Sequence, residues 1–347
     1  MFTNTNQKRA TMPLLVIQNW VRTLNIELGW INDFNKIVVK YSNYFESVKV
    51  LRGHIDIITS IRFSSDGRNI VSSSHDNTAR IWNAELGKQS HCFKRHSDWI
   101  NAVEFSPSGY IVASCSHDNT IRLWDVKLGK EVLILQGHTC PINDLNFSSD
   151  GKYIVSGGSD RTIRFWDLMS GKEIKQFVDR SNHIRNVQFS PSGKMIISST
   201  DNVIRLQFVS SSKIVKEFKG HTSTVKSVKF SPNSKFIVSC SEDNTIRIWD
   251  ITLGKQLKIL KGHSASVNEV KYVSNGQAII SCSNDMTIRI WDVQSGNEIQ
   301  KLEGHSDWIR CVDQIIILNH FHWIYNNYHL LNTDECLTNK KGIYSFV

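Results

Sequence analysis

The stretch GHTCPINDLNFSSDGKYIVSGGSDRTIRFWD, residues 137–167, decides the fold, because residues 220–250 repeat it in register as GHTSTVKSVKFSPNSKFIVSCSEDNTIRIWD. Each copy opens on Gly-His and closes on Trp-Asp, with alternating apolar residues and turn residues between. The frame recurs along the chain every 41 or 42 residues. Its His slots are His54, His96, His138, His221, His263 and His305, with Arg180 in the fourth place; its Trp slots are Trp82, Trp124, Trp166, Trp249 and Trp291, with Gln207 in the fourth. Self-similarity at a fixed period is the mark of an array of supersecondary units, each too small to bury its own apolar face.

A period near ~42 is too long for leucine-rich, ankyrin or tetratricopeptide units and matches the four-stranded blade of a propeller. Within the second unit, Ile100–Phe105 alternates, Ser106–Gly109 turns, Tyr110–Cys115 and Thr120–Asp125 are further strands, and Gly129 turns into a fourth at Glu131–Leu135. The segment Phe45–Leu51 matches that fourth, outer strand and precedes the first Gly-His pair. The expected architecture is all-β: a propeller over residues 45–347 of seven blades, the seventh irregular. Its repeats run 51–93, 94–135, 136–177, 178–218, 219–260 and 261–302, with a degenerate 303–347.

Ahead of it, residues 1–12 are polar and expected to be disordered. In residues 13–44 the apolar residues Leu14, Ile17, Val21 and Leu24, then Ile31, Phe34, Ile37, Val38 and Tyr41, fall at spacings of three and four. That spacing predicts a short helical hairpin capping the array.

The composition suits a packed chain: 40% hydrophobic residues and ten Trp in 347 residues. The net charge of +9 makes an acidic partner or nucleic acid conceivable. Much of that charge is periodic, however. Arg80, Arg122, Arg164, Arg205, Arg247 and Arg289 precede the Trp slot by two, and Lys88, Lys130, Lys172, Lys213 and Lys255 sit in the turn after it. Charge in every unit is first a requirement of the unit, and no Arg-rich run or RNA-stacking motif accompanies it. Seven cysteines are an odd number, and Cys115, Cys240 and Cys282 share one slot on equivalent strands, where they cannot easily pair. A reducing compartment, cytosol or nucleus, is expected. No apolar run approaches the ~20 residues of a membrane-spanning helix.

With these residues in view, the chain resembles the WD40-repeat β-propeller family over about residues 46–312. In that family a His, a strand Ser, a turn Asp and the Trp of each unit form a buried hydrogen-bonded tetrad. Carried over by position, the resemblance implies His54, Ser72, Asp76 and Trp82 in the first unit; His96, Ser114, Asp118 and Trp124 in the second; and His138, Ser156, Asp160 and Trp166 in the third. It likewise implies His221, Ser239, Asp243 and Trp249 in the fifth, and His263, Ser281, Asp285 and Trp291 in the sixth. Such a chain leaves every buried polar group paired. The fourth unit lacks both His and Trp and is one residue short. After EGHSDWIRCVD, residues 303–313, the pattern stops: Asn327 and Thr333 stand where the turn Asp and the Trp should fall.

Enzyme signatures are absent: no phosphate-cradling Gly-rich loop with Lys, no Gly-x-Ser-x-Gly, no His-Glu-x-x-His and no Cys-x-x-Cys. His91, Cys92 and His96, or His320, His322, His329 and Cys336, contain metal-ligating types, but His96 is claimed by its tetrad and the second set lies beyond the repeats. No catalytic residue, cofactor or metal is expected. The family's phosphoinositide-binding Phe-Arg-Arg-Gly motif does not occur.

Recognition is sought where the repeats differ. Three residues after each His slot stand Ile57, Trp99, Pro141, His183, Thr224, Ser266 and Trp308, opening the innermost strand at the rim of the central channel. In a ring, Trp308, Ile57, Trp99 and Pro141 form one apolar arc, and Asp98 and Asp307 give it an acidic edge suited to a basic peptide. Trp anchors are enriched in binding hot spots. The expected function is a non-catalytic scaffold for protein or peptide partners. An RNA-associated component of a ribonucleoprotein or ribosome-assembly particle, and a ubiquitin-ligase substrate receptor, are the alternatives. For the latter, the docking signature wants a basic residue two after the Asp, which only Lys127 after Asp125 offers.

Overall fold

The computed structural model describes residues 46–179, 182–211, 213–273, 276–313 and 342–346. The described strands belong to one compact unit. Its first strand, β1 (Glu46–Leu51), precedes six four-stranded antiparallel sheets, each made of four consecutive strands.

The first two blades are β2 (Ile58–Phe63), β3 (Asn69–Ser74), β4 (Ala79–Asn83), β5 (Lys88–Phe93), and β6 (Ile100–Phe105), β7 (Ile111–Ser116), β8 (Thr120–Asp125), β9 (Lys130–Gln136). Blades three and four are β10 (Ile142–Phe147), β11 (Tyr153–Gly158), β12 (Thr162–Asp167), β13 (Lys172–Val178), and β14 (Ile184–Phe189), β15 (Met195–Thr200), β16 (Val203–Phe208), β17 (Ile214–Lys219). Blades five and six are β18 (Val225–Phe230), β19 (Phe236–Ser241), β20 (Thr245–Asp250), β21 (Lys255–Lys261), and β22 (Val267–Tyr272), β23 (Ala278–Ser283), β24 (Ile288–Asp292), β25 (Glu298–Leu302). A last strand, β26, spans Gly342–Phe346.

Burial follows position in the blade. The second strand is buried along nearly its whole length, whereas the outer strand alternates, as in Lys130–Gln136. Half-exposed alternation is what an outer edge dictates, and continuous burial what a strand sandwiched between neighbouring blades dictates. The turn after each tetrad Asp takes left-handed φ at Asn77, Asn119, Arg161, Asn244 and Met286. Asn is the side chain that tolerates that conformation best, which accounts for Asp-Asn in three of the five.

The core lies between blades. Between the second and third, Leu123, Leu135, Ile142, Leu145, Ile154 and Trp166 pack together. The equivalent layer between the third and fourth has no Trp; Phe165, Phe177 and Phe189 fill it, with Phe165 edge-on to the other two at 5.1 and 5.8 Å. Each such side chain stabilises by about 1.5–3 kcal/mol on leaving water. Leu51 of β1 joins Phe63, Ile70 and Trp82 in the same way, so β1 does serve the first blade as the preceding outer strand serves any other.

The expected count of seven blades is corrected to six among the described residues. Residues 303–313 form no strand. They are nevertheless held at the position of an inner strand: Ile309 N donates to the Ser283 carbonyl at 3.2 Å, Asn268 Nδ2 to the Ile309 carbonyl at 2.8 Å, and Val312 N to Glu269 Oε2 at 2.9 Å. On the far side Phe63 N donates to Asp313 Oδ2 at 2.8 Å. No described chain then turns back to build a sheet on this segment. The remaining strand, β26, pairs with β1 in parallel, whereas neighbouring strands of a blade meander must be antiparallel. The two-stranded β1–β26 sheet is therefore a separate device and not the outer half of a seventh blade.

The expected helical hairpin is not part of the described structure: among the described residues there is no helix. Residues 1–12 and 13–44, on which the disordered start and the hairpin were placed, lie outside the described residues, as do 314–341.

Candidate functional site: the rim and wall of the channel

Five of the six blades carry the same polar chain. In the first, Trp82 Nε1 donates to Ser72 Oγ at 2.8 Å, Ser72 Oγ lies 2.7 Å from His54 Nε2, and His54 Nδ1 lies 2.8 Å from Asp76 Oδ2. The sets His96–Ser114–Asp118–Trp124, His138–Ser156–Asp160–Trp166, His221–Ser239–Asp243–Trp249 and His263–Ser281–Asp285–Trp291 have the same links, all between 2.7 and 2.9 Å. The only arrangement satisfying every atom has the indole donating to Ser, Ser to a neutral imidazole, and the imidazole to Asp.

Burial holds His54, His221 and His263 below the ordinary His range, despite the pull of Asp76, Asp243 and Asp285. Burial works to raise the Asp partners, but hydrogen bonds outweigh it, and those from Thr287 and His263 bring Asp285 down to about 2. Each Asp also takes a backbone N–H, as Thr222 N gives Asp243 Oδ2 at 3.1 Å. The tetrad therefore ties the turn before the inner strand to the turn after the second strand, and fixes the rim residue that follows the His. Its histidines and carboxylates are occupied internally, which leaves none poised for acid–base work.

At the rim the apolar residues split from the rest of the repeat. The repeat tryptophans are at most 2% exposed, but Trp99 and Trp308 are 44% and 54% exposed and Ile57 is 40%. Pro141 is half-buried. Trp99 stands between two imidazoles: His75 of the first blade stacks on it at 4.2 Å between ring centroids and 11° between planes, and His117 lies tilted at 5.2 Å. His75 N also donates to the Ile57 carbonyl, which brings Ile57 alongside. Arg310 lies 5.8 Å from the Trp308 ring. Burial holds His75 below the ordinary His range; Asp56 opposes this, and Arg310 and His117 add to it.

The acidic edge is partly engaged. Asp98 Oδ1 accepts from Trp99 N at 2.8 Å, and Asp307 Oδ1 from Trp308 N at 2.6 Å, as Asp56 Oδ1 does from Ile57 N. These carboxylates hold the rim residue's backbone in place.

His75, His117 and Arg310 were missed in reading the sequence. The signal was there for two of them: the residue before the tetrad Asp is His75, His117, Ser159, Glu242 and Asn284 in the five complete blades, a slot as variable as the one that was read. His91 and Cys92 do not join His96, which is bonded to Asp118 and Ser114; no group of three His, Cys, Asp or Glu among the described residues is placed to hold a metal ion. His320, His322, His329 and Cys336 lie outside the described residues.

Below the rim, the inner strands bond across blades through side chains. Asp144 accepts from Val187 N and Asn186 Nδ2, Asn186 from Val228 N, and Gln188 from Phe230 N. Around Arg62 of blade one the contacts become ionic: it lies 3.0 Å from Glu269 of blade six and 3.2 Å from Glu104 of blade two, and Lys271 of blade six lies 2.9 Å from Asp313. Burial opposes the Arg62 charge, but Glu269 and Glu104, then Asp313 and Asp144, outweigh it and raise the guanidinium well above its ordinary range. The first and last described blades are thus joined at the channel wall by charge, with residues 309–313 between them.

No helix among the described residues is long and apolar enough to cross a membrane, which says nothing of strands that could. The WD40 profile (WD domain, G-beta repeat) matches residues 45–83, 87–125, 129–167, 171–206, 212–250 and 254–292, about two thirds of the chain. Relatives match only locally. A probable E3 ubiquitin ligase complex SCF subunit sconB from Arthroderma benhamiae is 38% identical over 48 residues, 14% of this chain and 7% of its own length. A dynein assembly factor with WD repeat domains 1 from Xenopus laevis is 34% identical over 56 residues, 16% of this chain and 14% of its own. The match thus spans less than a sixth of each relative's length, while the six repeat matches and the six four-stranded blades agree with each other. The chain belongs to the WD40 repeat family.

Proposed function

We propose that the protein is a non-catalytic interaction scaffold that holds a protein or peptide partner on the channel rim, over Trp99, Trp308, Ile57 and Pro141, with Asp98 and Asp307 presetting the two tryptophans. One observation carries this reading: in a chain that buries its repeat tryptophans at 2% exposure or less, two others stand half-exposed at equivalent rim positions. Large aromatic groups held rigid at a surface are the residues most enriched in binding hot spots, and their exposure without a partner costs solvation free energy. His75, His117 and Arg310 supply the rigidity by packing on the indoles.

The WD40 fold supports the scaffold class, and both relatives carry names of assembly work, a ligase-complex subunit and an assembly factor. A ubiquitin-ligase substrate receptor is a narrower form of the same reading and rests on the 48-residue likeness and on Lys127. An RNA-associated role rests on the net charge of +9 alone.

The test is crosslinking and affinity capture from the source cell, with wild type against Trp99→Ala/Trp308→Ala matched for melting temperature. A defined partner set lost in the double variant supports the rim. An unchanged set overturns it.

A further inference from the structure

Among the described residues every blade ends in an outer strand whose far edge has no strand beside it, and such edges are templates for pairing unless they are guarded. Five of the six are guarded in sequence by a polar residue in mid-strand: His91 in KQSHCF, Lys175 in KEIKQFV, Lys216 in IVKEFK, Lys258 in KQLKILK and Gln300 in EIQKL. All three of these lysines are further engaged with the next blade, Lys175 Nζ donating to the Val209 and Ser210 carbonyls at 2.9 and 2.8 Å, Lys216 Nζ to the Ile251 carbonyl at 2.7 Å, and Lys258 Nζ to the Gln294 carbonyl.

The exception is β9, KEVLILQ, where Val132, Leu133, Ile134 and Leu135 run without a polar residue. Leu133 and Leu135 face the core, Leu135 at 1% exposure. Val132 at 53% and Ile134 at 36% face water on the unguarded edge.

We propose that β9 is a self-association edge, pairing antiparallel with β9 of a second copy of this chain. The strand is self-complementary about Leu133. Around a two-fold axis there, Val132 meets Ile134 of the other copy twice, Lys130 meets Gln136, and Glu131 meets Leu135, so no like charges oppose each other. The same operation on β13 or β21 sets Lys175 or Lys258 against its own copy, and like charges directly opposed in a sheet are destabilising. An isologous two-fold contact of this kind closes on itself and leaves no further edge to propagate. A single strand pair is small beside the ~1,200–2,000 Å² of a tight interface, so the dimer is a concentration-dependent one.

Sedimentation velocity on the full chain, from about 1 to 100 µM, reads the outcome directly. The monomer of 39.7 kDa should give way to a species of twice that mass, and Val132→Lys/Ile134→Lys should raise the dissociation constant at least about tenfold with an unchanged melting temperature, both positions being exposed. Register is tested by mixing V132C with I134C under oxidising conditions. Directly opposed cross-strand positions are about 4.5–5.5 Å apart at Cβ and diagonal ones about 7–8 Å, so the mixed pair should crosslink faster than either variant alone. A monomer at every concentration overturns the proposal, leaving the edge to a foreign strand. So does a dimer that the lysine variant leaves intact, because its interface then lies elsewhere.

Discussion

The fifth and fourth blades have the same four-stranded topology but hold it by different means. In the fifth, Trp249, Ser239, His221 and Asp243 form a closed donor–acceptor chain, with Thr245 Oγ1 donating to Asp243 Oδ1 at 2.6 Å. In the fourth, Gln207 replaces the Trp and is 8% exposed, its Oε1 finding no donor; Ser199 Oγ is likewise unbonded. Arg205 turns instead to Asp179 and to Glu217, at 2.9 Å from the latter. The phenylalanine layer on the third blade supplies the missing apolar volume. The lesson is that inter-blade packing suffices to form a blade, and that the tetrad adds a polar lock on its turns.

The largest effect should separate the two Trp slots. Trp249→Ala removes a buried indole and leaves Ser239 without its donor, and should cost about 3–5 kcal/mol in urea unfolding. Gln207→Leu in the equivalent slot should change stability by less than about 1 kcal/mol in either direction, because it deletes a buried acceptor that has no donor. A cost for Gln207→Leu as large as that for Trp249→Ala would show that the fourth blade has a polar lock of its own at that site.

The Arg slots should show the reverse order. Arg205→Ala removes bonds to two carboxylates and should cost about 1.5–3 kcal/mol. Arg247→Ala, which loses Gln256 Oε1 at 2.5 Å, Thr245 Oγ1 at 3.4 Å and a longer ion pair to Asp243 Oδ2 at 3.7 Å, should cost about 0.5–1.5 kcal/mol. Equal losses in paired unfolding curves would break the claim that blade four relies on its ion pairs.

Acidification should give the smallest and most graded difference. The folded tetrad keeps His221 neutral and below its ordinary range, while the unfolded chain takes up a proton near pH ~6.5, so stability from this site is present above that pH and lost as pH falls below it. Asp243, lowered by its bonds to Thr245 and His221 against the opposing effect of burial, acts in the same direction as pH descends through the carboxylate range. Hydrogen exchange corrected for intrinsic rates should show β19 and β20 losing protection between about pH 7 and 5.5, with β15 and β16 changing less. Equal losses in both blades would assign the acid sensitivity to the channel carboxylates instead.

The legible part of the fold was the part that repeats. Alternation in Ile100–Phe105 and its counterparts, the turns between them and the presence of a strand, β1, ahead of the first repeat all follow from residues near in sequence. The candidate site was legible by half. Trp99 and Trp308 stood out because one slot varies, but their neighbours did not: His75 comes from another blade and Arg310 from a segment with no strand. The seventh blade was expected because one repeat's length of chain follows His305 and an open edge would expose unpaired strand groups; 303–313 does make the contacts of an inner strand, but among the described residues no sheet is built on it.

What the sequence determined by itself is the blade: a 42-residue period fixes strand order, turn positions and which side chains face a neighbour, because every blade meets the same two kinds of surface. What only the tertiary structure decided is how the first and last blades meet and which rim residues touch. Those contacts join positions 250 apart, as Asp313 and Phe63 are, and occur once in the molecule. A contact made once leaves no period to read; it is fixed by geometry, and here by the charges of Arg62, Glu269, Lys271 and Asp313 brought together at the channel wall.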